Sequence, residues 1–138
     1  MRQKGSAITK INFFIAACLV LAAAGWFLIQ KGCHTYYQRE ANIFFEKIEK
    51  KEISYKNINN KYLPFNREKS AEALRTLKLD PEKAKYYNFS VQEIDRNTFR
   101  IIAHLKPEII KKWYLHTSKS KFRLIYEKRE GEKGRLVE

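Results

Sequence analysis

Hydrophobic and polar positions change their arrangement twice along the chain. From Ile11 to Gln30 (INFFIAACLVLAAAGWFLIQ) twenty consecutive residues carry no charge, and a run of that length can cross the hydrocarbon core of a bilayer as a helix. Beyond it the apolar positions become periodic. Tyr37, Ala41, Phe44, Phe45, Ile48 and Tyr55 recur at spacings of three, four and seven, with Arg39, Glu46, Lys47, Glu49, Lys50 and Lys51 between them, as in a helix with one face against a core. Glu46 and Lys50 add an acid-first i, i+4 pair, and Gly32 is a weak point worth about 1 kcal/mol relative to alanine. The simplest reading is one helix of about forty-five residues, from near Ile8 to near Ser54, apolar in its first half and amphipathic in its second.

The asparagines of Asn57-Ile58-Asn59-Asn60 favour a turn, and Pro64 forbids the helix to continue. A short helix is expected over Glu68–Leu79, carrying Ala71, Leu74, Leu77 and Leu79, until Asp80-Pro81 interrupts it. The period then falls to two. Tyr87, Phe89 and Val91 alternate with polar residues, Asp95-Arg96-Asn97 marks a turn, and Thr98–Leu105 is rich in strand formers, so a hairpin is expected. Pro107-Glu108 opens either a short helix with Ile109, Ile110, Trp113 and Tyr114 on one side or a further strand. Phe122–Tyr126 reads as a strand and Gly131–Glu138 as a frayed tail. The fold class expected is α+β: a long N-terminal helix, its first half transmembrane, packed through its second half on a small antiparallel sheet of three or four strands.

Three readings compete for the apolar run. A cleaved signal has a site of small residues at Ala22-Ala23-Ala24, but Trp26, Phe27, Leu28 and Ile29 continue the run past it. Ile15-Ala16-Ala17-Cys18 looks like a lipobox, with apolar residues continuing well beyond the cysteine. A retained transmembrane helix fits the length and flanks best. This divides the chain into a basic flank at 1–10, a membrane helix at 11–30, and residues 31–138 as the amphipathic continuation plus a small domain. Arg2, Lys4 and Lys10, with no acid beside them, favour a cytoplasmic amino terminus; Lys31 and Arg39 make the asymmetry modest.

Charge and cysteines narrow the picture less. Residues 31–138 hold 25 Lys+Arg and 15 Asp+Glu, a net +10, spread along the segment as a solvated surface would be. Lys119, Lys121 and Arg123 nevertheless lie in a tract where basic residues interleave with Trp113, Tyr114, Phe122 and Tyr126, a mixture that also suits single-stranded nucleic acid. A sheet with one wet and one buried face produces the same alternation. Cys18 and Cys33 are fifteen residues apart on one expected helix and cannot pair within a chain. No paired histidines, Cys-x-x-Cys or glycine-rich phosphate loop occurs, so neither a metal, a cofactor nor a catalytic group is expected. Asn88-Phe89-Ser90 matches a glycosylation sequon inside an expected strand.

Several of these residues resemble the type IV pilins and type II secretion pseudopilins. Lys4-Gly5 resembles the end of the family's basic leader, with Ser6-Ala7-Ile8-Thr9-Lys10 as the start of the mature helix and Leu21-Ala22-Ala23 in register with a family Leu-Ala-Ala step. Ala41, Ile48, Asn60, Tyr62 and Pro64, and Tyr86–Val91, loosely follow the family's turn and sheet. Ser6 stands where the family usually has phenylalanine, and Lys10 where it has glutamate. The resemblance implies leader cleavage between Gly5 and Ser6, and subunit packing through Lys10, Leu21, Ala22 and Ala23. It also implies a structural, non-enzymatic role, that of a minor subunit of a filament or secretion machine. Its partners would be other pilin-like subunits and the inner membrane, with the C-terminal domain outside the cytoplasm. The alternatives are a DNA-contacting minor pilin of an uptake filament and an unrelated single-pass membrane scaffold.

Overall fold

A computed structural model describes residues 2–111 and 122–137. The chain is α+β. Helix α1 spans Arg2–Asn59, 58 residues, longer at both ends than the spacing of apolar residues predicts. The apolar spacing stops at Tyr55 and a turn is expected from Asn57, but Asn57 and Asn59 remain helical; the stop comes at Asn60, which adopts φ 60°. Asparagine tolerates this left-handed conformation better than most residues and can close a helix there. Two compact units result, Met1–Tyr37 and Gln38–Glu138.

In the second unit, the expected helix over 68–79 is shorter and irregular. A 3-10 turn at Arg67–Lys69, capped by the Asn66 side chain accepting from the Lys69 amide, leads into α2, Ser70–Thr76. Lys78 at φ 58° then ends the helical run, and Asp80 caps a further 3-10 turn, Pro81–Lys83. Pro107 opens α3, Pro107–Lys111, as proline does at a first helical position, where its missing N–H loses nothing. Of the two readings of this segment the helix is the correct one for its described part; Trp113 and Tyr114 lie outside the described residues.

Four strands form an antiparallel meander in the order β1-β2-β3-β4: β1 Tyr87–Asp95, β2 Thr98–Leu105, β3 Arg123–Arg129 and β4 Arg135–Leu136. Arg96 and Asn97 turn the first hairpin, with the Asp95 carboxylate accepting from the Asn97 amide at 2.8 Å. The tail is not frayed as expected. Gly131 takes φ 79°, a conformation open to glycine, and the chain returns so that Arg135 pairs with Glu127 and the Val137 amide reaches the Ile125 carbonyl. On the other side of the sheet, Phe65 exchanges both backbone hydrogen bonds with Val91, and Ser70 Oγ accepts from the Phe89 amide.

The core lies between the second half of α1 and one face of this sheet. Ala41, Phe44, Phe45 and Ile48 from the helix meet Phe89, Val91, Phe99, Ile101 and Ala103, all buried. Phe45 stacks on Tyr126 at 5.2 Å and meets Phe89 edge-on, while Phe44 stacks on Phe89 at 5.0 Å. Such ring pairs add to area burial, about 0.5–1.5 kcal/mol each. Leu74 and Leu77 are buried beside them from the α2 region.

Candidate functional site

Two surfaces of α1 carry the candidate function. The first is the stretch Ser6–Ile29, 24 residues long and apolar enough to cross a membrane. At 1.5 Å per residue it measures about 36 Å, against a hydrocarbon core of about 30 Å. Its apolar side chains point in every direction and are exposed; Phe13 is 76% exposed and Leu21 72%. A helix apolar all round is stable only inside lipid or among other apolar helices. Ala22 and Ala23, like Lys10, are exposed on this helix, and Gly25 leaves open space where a Cβ would stand. Gly5 and Ser6 lie within α1, in its opening turns. Cys18 is a free, exposed thiol, and the helical rise puts the backbone of Cys33 about 22 Å further along the same axis.

The second surface is the polar margin by which the later turns of α1 grip the sheet domain. Glu40 Oε1 accepts from the Tyr86 amide at 2.9 Å. Glu49 accepts from the Tyr126 hydroxyl and pairs with Lys128 at 3.3 Å; burial, and then that carboxylate, push the Tyr126 phenol well above its usual range. Lys56 donates to the Arg96 carbonyl at 2.6 Å and to Glu130 at 3.1 Å, and lies over the Tyr62 ring at 4.7 Å. Glu52, fully buried, accepts from the Leu63 amide at 2.8 Å. Four helix side chains thus hold four different sheet or loop segments. None of the four was singled out as a contact by periodicity, although Glu52 falls four residues after Ile48, on the apolar stripe itself.

The nucleic-acid tract is only partly in view. Lys119 and Lys121 lie outside the described residues. Arg123 opens β3, exposed, in register with His104 and, across the next strand, Asn88. Burial, then the charges of Arg67 and Arg123, hold the His104 imidazole below its usual range, and its Nε2 lies 3.1 Å from Ser90 Oγ. The other basic residues of β3 face acids of the same unit, Lys128 with Glu49 and Arg129 with Glu132, as a solvated or domain-closing role requires. The sequon Asn88-Phe89-Ser90 sits within β1, with Phe89 and Ser90 buried.

Among the described residues no group of three or more histidine, cysteine, aspartate or glutamate side chains is placed to hold a metal ion. No family model, no curated protein and no solved structure matches the chain.

Proposed function

We propose that this chain is a membrane-anchored structural subunit, pilin-like or pseudopilin-like and minor in stoichiometry, of a type IV filament or a type II secretion machine. The observation that supports the reading is the single backbone helix Arg2–Asn59, in which an all-round apolar stretch runs without a break into an amphipathic stretch carrying a small antiparallel sheet. The first stretch stores the subunit in the inner membrane and packs against equivalent helices of neighbours. The sheet domain lies outside the cytoplasm and presents its surface to partners.

Lys10 sets the expected place of the subunit. In the family it resembles, a glutamate at this position pairs with the new amino terminus of the next subunit; a lysine there would bring like charges together in an apolar bundle, where an unpaired charge is costly. The chain therefore occupies a special position such as a filament tip, cleaved after Gly5, or stays uncut with Lys10 at the cytoplasmic interface beside Lys4. The expected outcome is a protein that resists both high-salt and carbonate extraction, because salt screens charges and leaves apolar insertion intact. Release by carbonate alone overturns the anchor. The intact mass of the amino terminus distinguishes the two positions, and filaments built mostly from this chain overturn both.

A further inference from the structure

Glu52 occupies a core position on α1 that apolar spacing would give to a leucine. Its side chain is 0% exposed. One carboxyl oxygen, Oε2, accepts from the Leu63 amide, and the other, Oε1, is buried with no hydrogen-bond partner. Leu63 belongs to the loop 60–64 that follows α1, and its neighbour Tyr62, 3% exposed, packs on Phe99 of β2 at 4.6 Å. The carboxyl group therefore stands where α1, this loop and the β1–β2 hairpin meet.

Among the described residues, no cation compensates a negative charge at that junction, and the Leu63 amide offsets it only in part. On α1 itself Glu49 is occupied by Tyr126 and Lys128, and Lys56 by Glu130 and the Arg96 carbonyl. From β1 the charge that reaches Glu52 is Glu93, of like sign. From the hairpin turn, the Asp95 carboxylate is also of like sign and is turned to the Asn97 amide. The loop contributes a single N–H and the Tyr62 phenol, which already receives Lys56. A buried carboxylate with one hydrogen bond and a free oxygen loses far more hydration than it recovers, whereas the neutral acid loses little.

We propose that Glu52 is a proton-operated latch: as a neutral acid it stays buried where α1, the loop 60–64 and the β1–β2 hairpin meet, and on ionisation the charge, which the Leu63 amide alone does not compensate, draws the carboxylate toward water, parts it from that amide and loosens the junction. Burial, opposed by the Leu63 amide and reinforced by Glu93, raises the group from 4.5 to about 7. The direction of the pH effect follows. Between these two values the folded chain holds a proton that the unfolded chain has given up, so stability is greatest below the lower value and falls as pH rises toward the upper one. Above it the loss is complete and the curve levels. The switch thus works from mildly acidic pH up to neutrality, without a second ligand.

The test uses the full chain in detergent micelles. The urea midpoint of wild type is expected to fall between about pH 5.5 and pH 8.5, and that of Glu52→Gln, which keeps volume and an acceptor for Leu63 but cannot ionise, to stay level over the same range. Exchange of the Leu63 amide, corrected for its intrinsic pH dependence, is expected to accelerate by about tenfold or more in wild type alone. An unchanged pH profile in the Gln variant overturns the latch. Should that variant not fold, carbon-13 NMR of the glutamate carboxyls in wild type decides: one group titrating near neutrality supports it, and titration of all of them below about pH 5.5 overturns it.

Discussion

Between Ser6 and Ile29, α1 leaves Phe13, Phe14, Leu21 and Phe27 at least 65% exposed, whereas between Ala41 and Ile48 four apolar side chains are at most 4% exposed. The backbone is the same helix in both stretches. The difference lies in burial: the first stretch is exposed, and the second is covered by the chain's own sheet. In the first stretch every direction around the axis is equivalent, so composition decides and single positions matter little. In the second, a change of one position along the helix moves a side chain about 100° around it, and each residue has one place to be.

The same substitution should therefore act differently in the two stretches. Ile48→Lys puts an unpaired charge in the core and is expected to cost more than about 4 kcal/mol, enough to unfold the sheet domain. Leu21→Lys is expected to leave the urea midpoint of that domain unchanged while weakening insertion by roughly 2.5–3.5 kcal/mol. Equal loss of domain stability from both would break the comparison; extraction assays and chemical denaturation on both variants read it directly.

Within the covered half, effects should fall with distance from the aromatic cluster. Phe45→Ala removes the ring between Tyr126 and Phe89 and is expected to cost about 3–5 kcal/mol by urea denaturation. Gly134→Ala should cost about 1–3 kcal/mol, because a Cβ there would stand 1.9 Å from the Tyr126 hydroxyl oxygen and 2.2 Å from its ring. The phenol would have to leave Glu49 or the returning chain would have to lift. A midpoint unaltered by Gly134→Ala would mean that the return through β4 contributes nothing to the domain. Glu132→Ala, which removes the exposed pair with Arg129, should change stability by less than about 0.5 kcal/mol.

Thr98–Leu105 could be read from the sequence to the residue, because strand formers are bounded there by a turn and by Pro107. Helix α1 was readable in kind and short in length, since its first residues are polar and its last apolar anchor precedes the true end at Asn59. The return through β4 was hidden. Its residues show no alternation, and what holds them is Gly131, Gly134 and pairing with β3, which only the folded sheet supplies. Lys10, Leu21, Ala22 and Ala23 could be placed on the helix from composition alone. Glu52 could have been found by extending the 41, 45, 48 spacing by one turn, but a carboxylate is ordinarily assigned to water. Its position makes sense only when the loop amide of Leu63 is in place.

The closed side of β1 has a bearing on how chains of this kind meet one another. A sheet's outer strand normally offers a row of free amides and carbonyls to any other extended segment, which is how many proteins polymerise or misassemble. Here Phe65 takes up the amide and carbonyl of Val91, and Ser70 takes up the amide of Phe89. Strand addition along that stretch would first have to displace the chain's own residues. Sheet-to-sheet joining of two copies through Phe89–Val91 is thereby opposed by the fold itself.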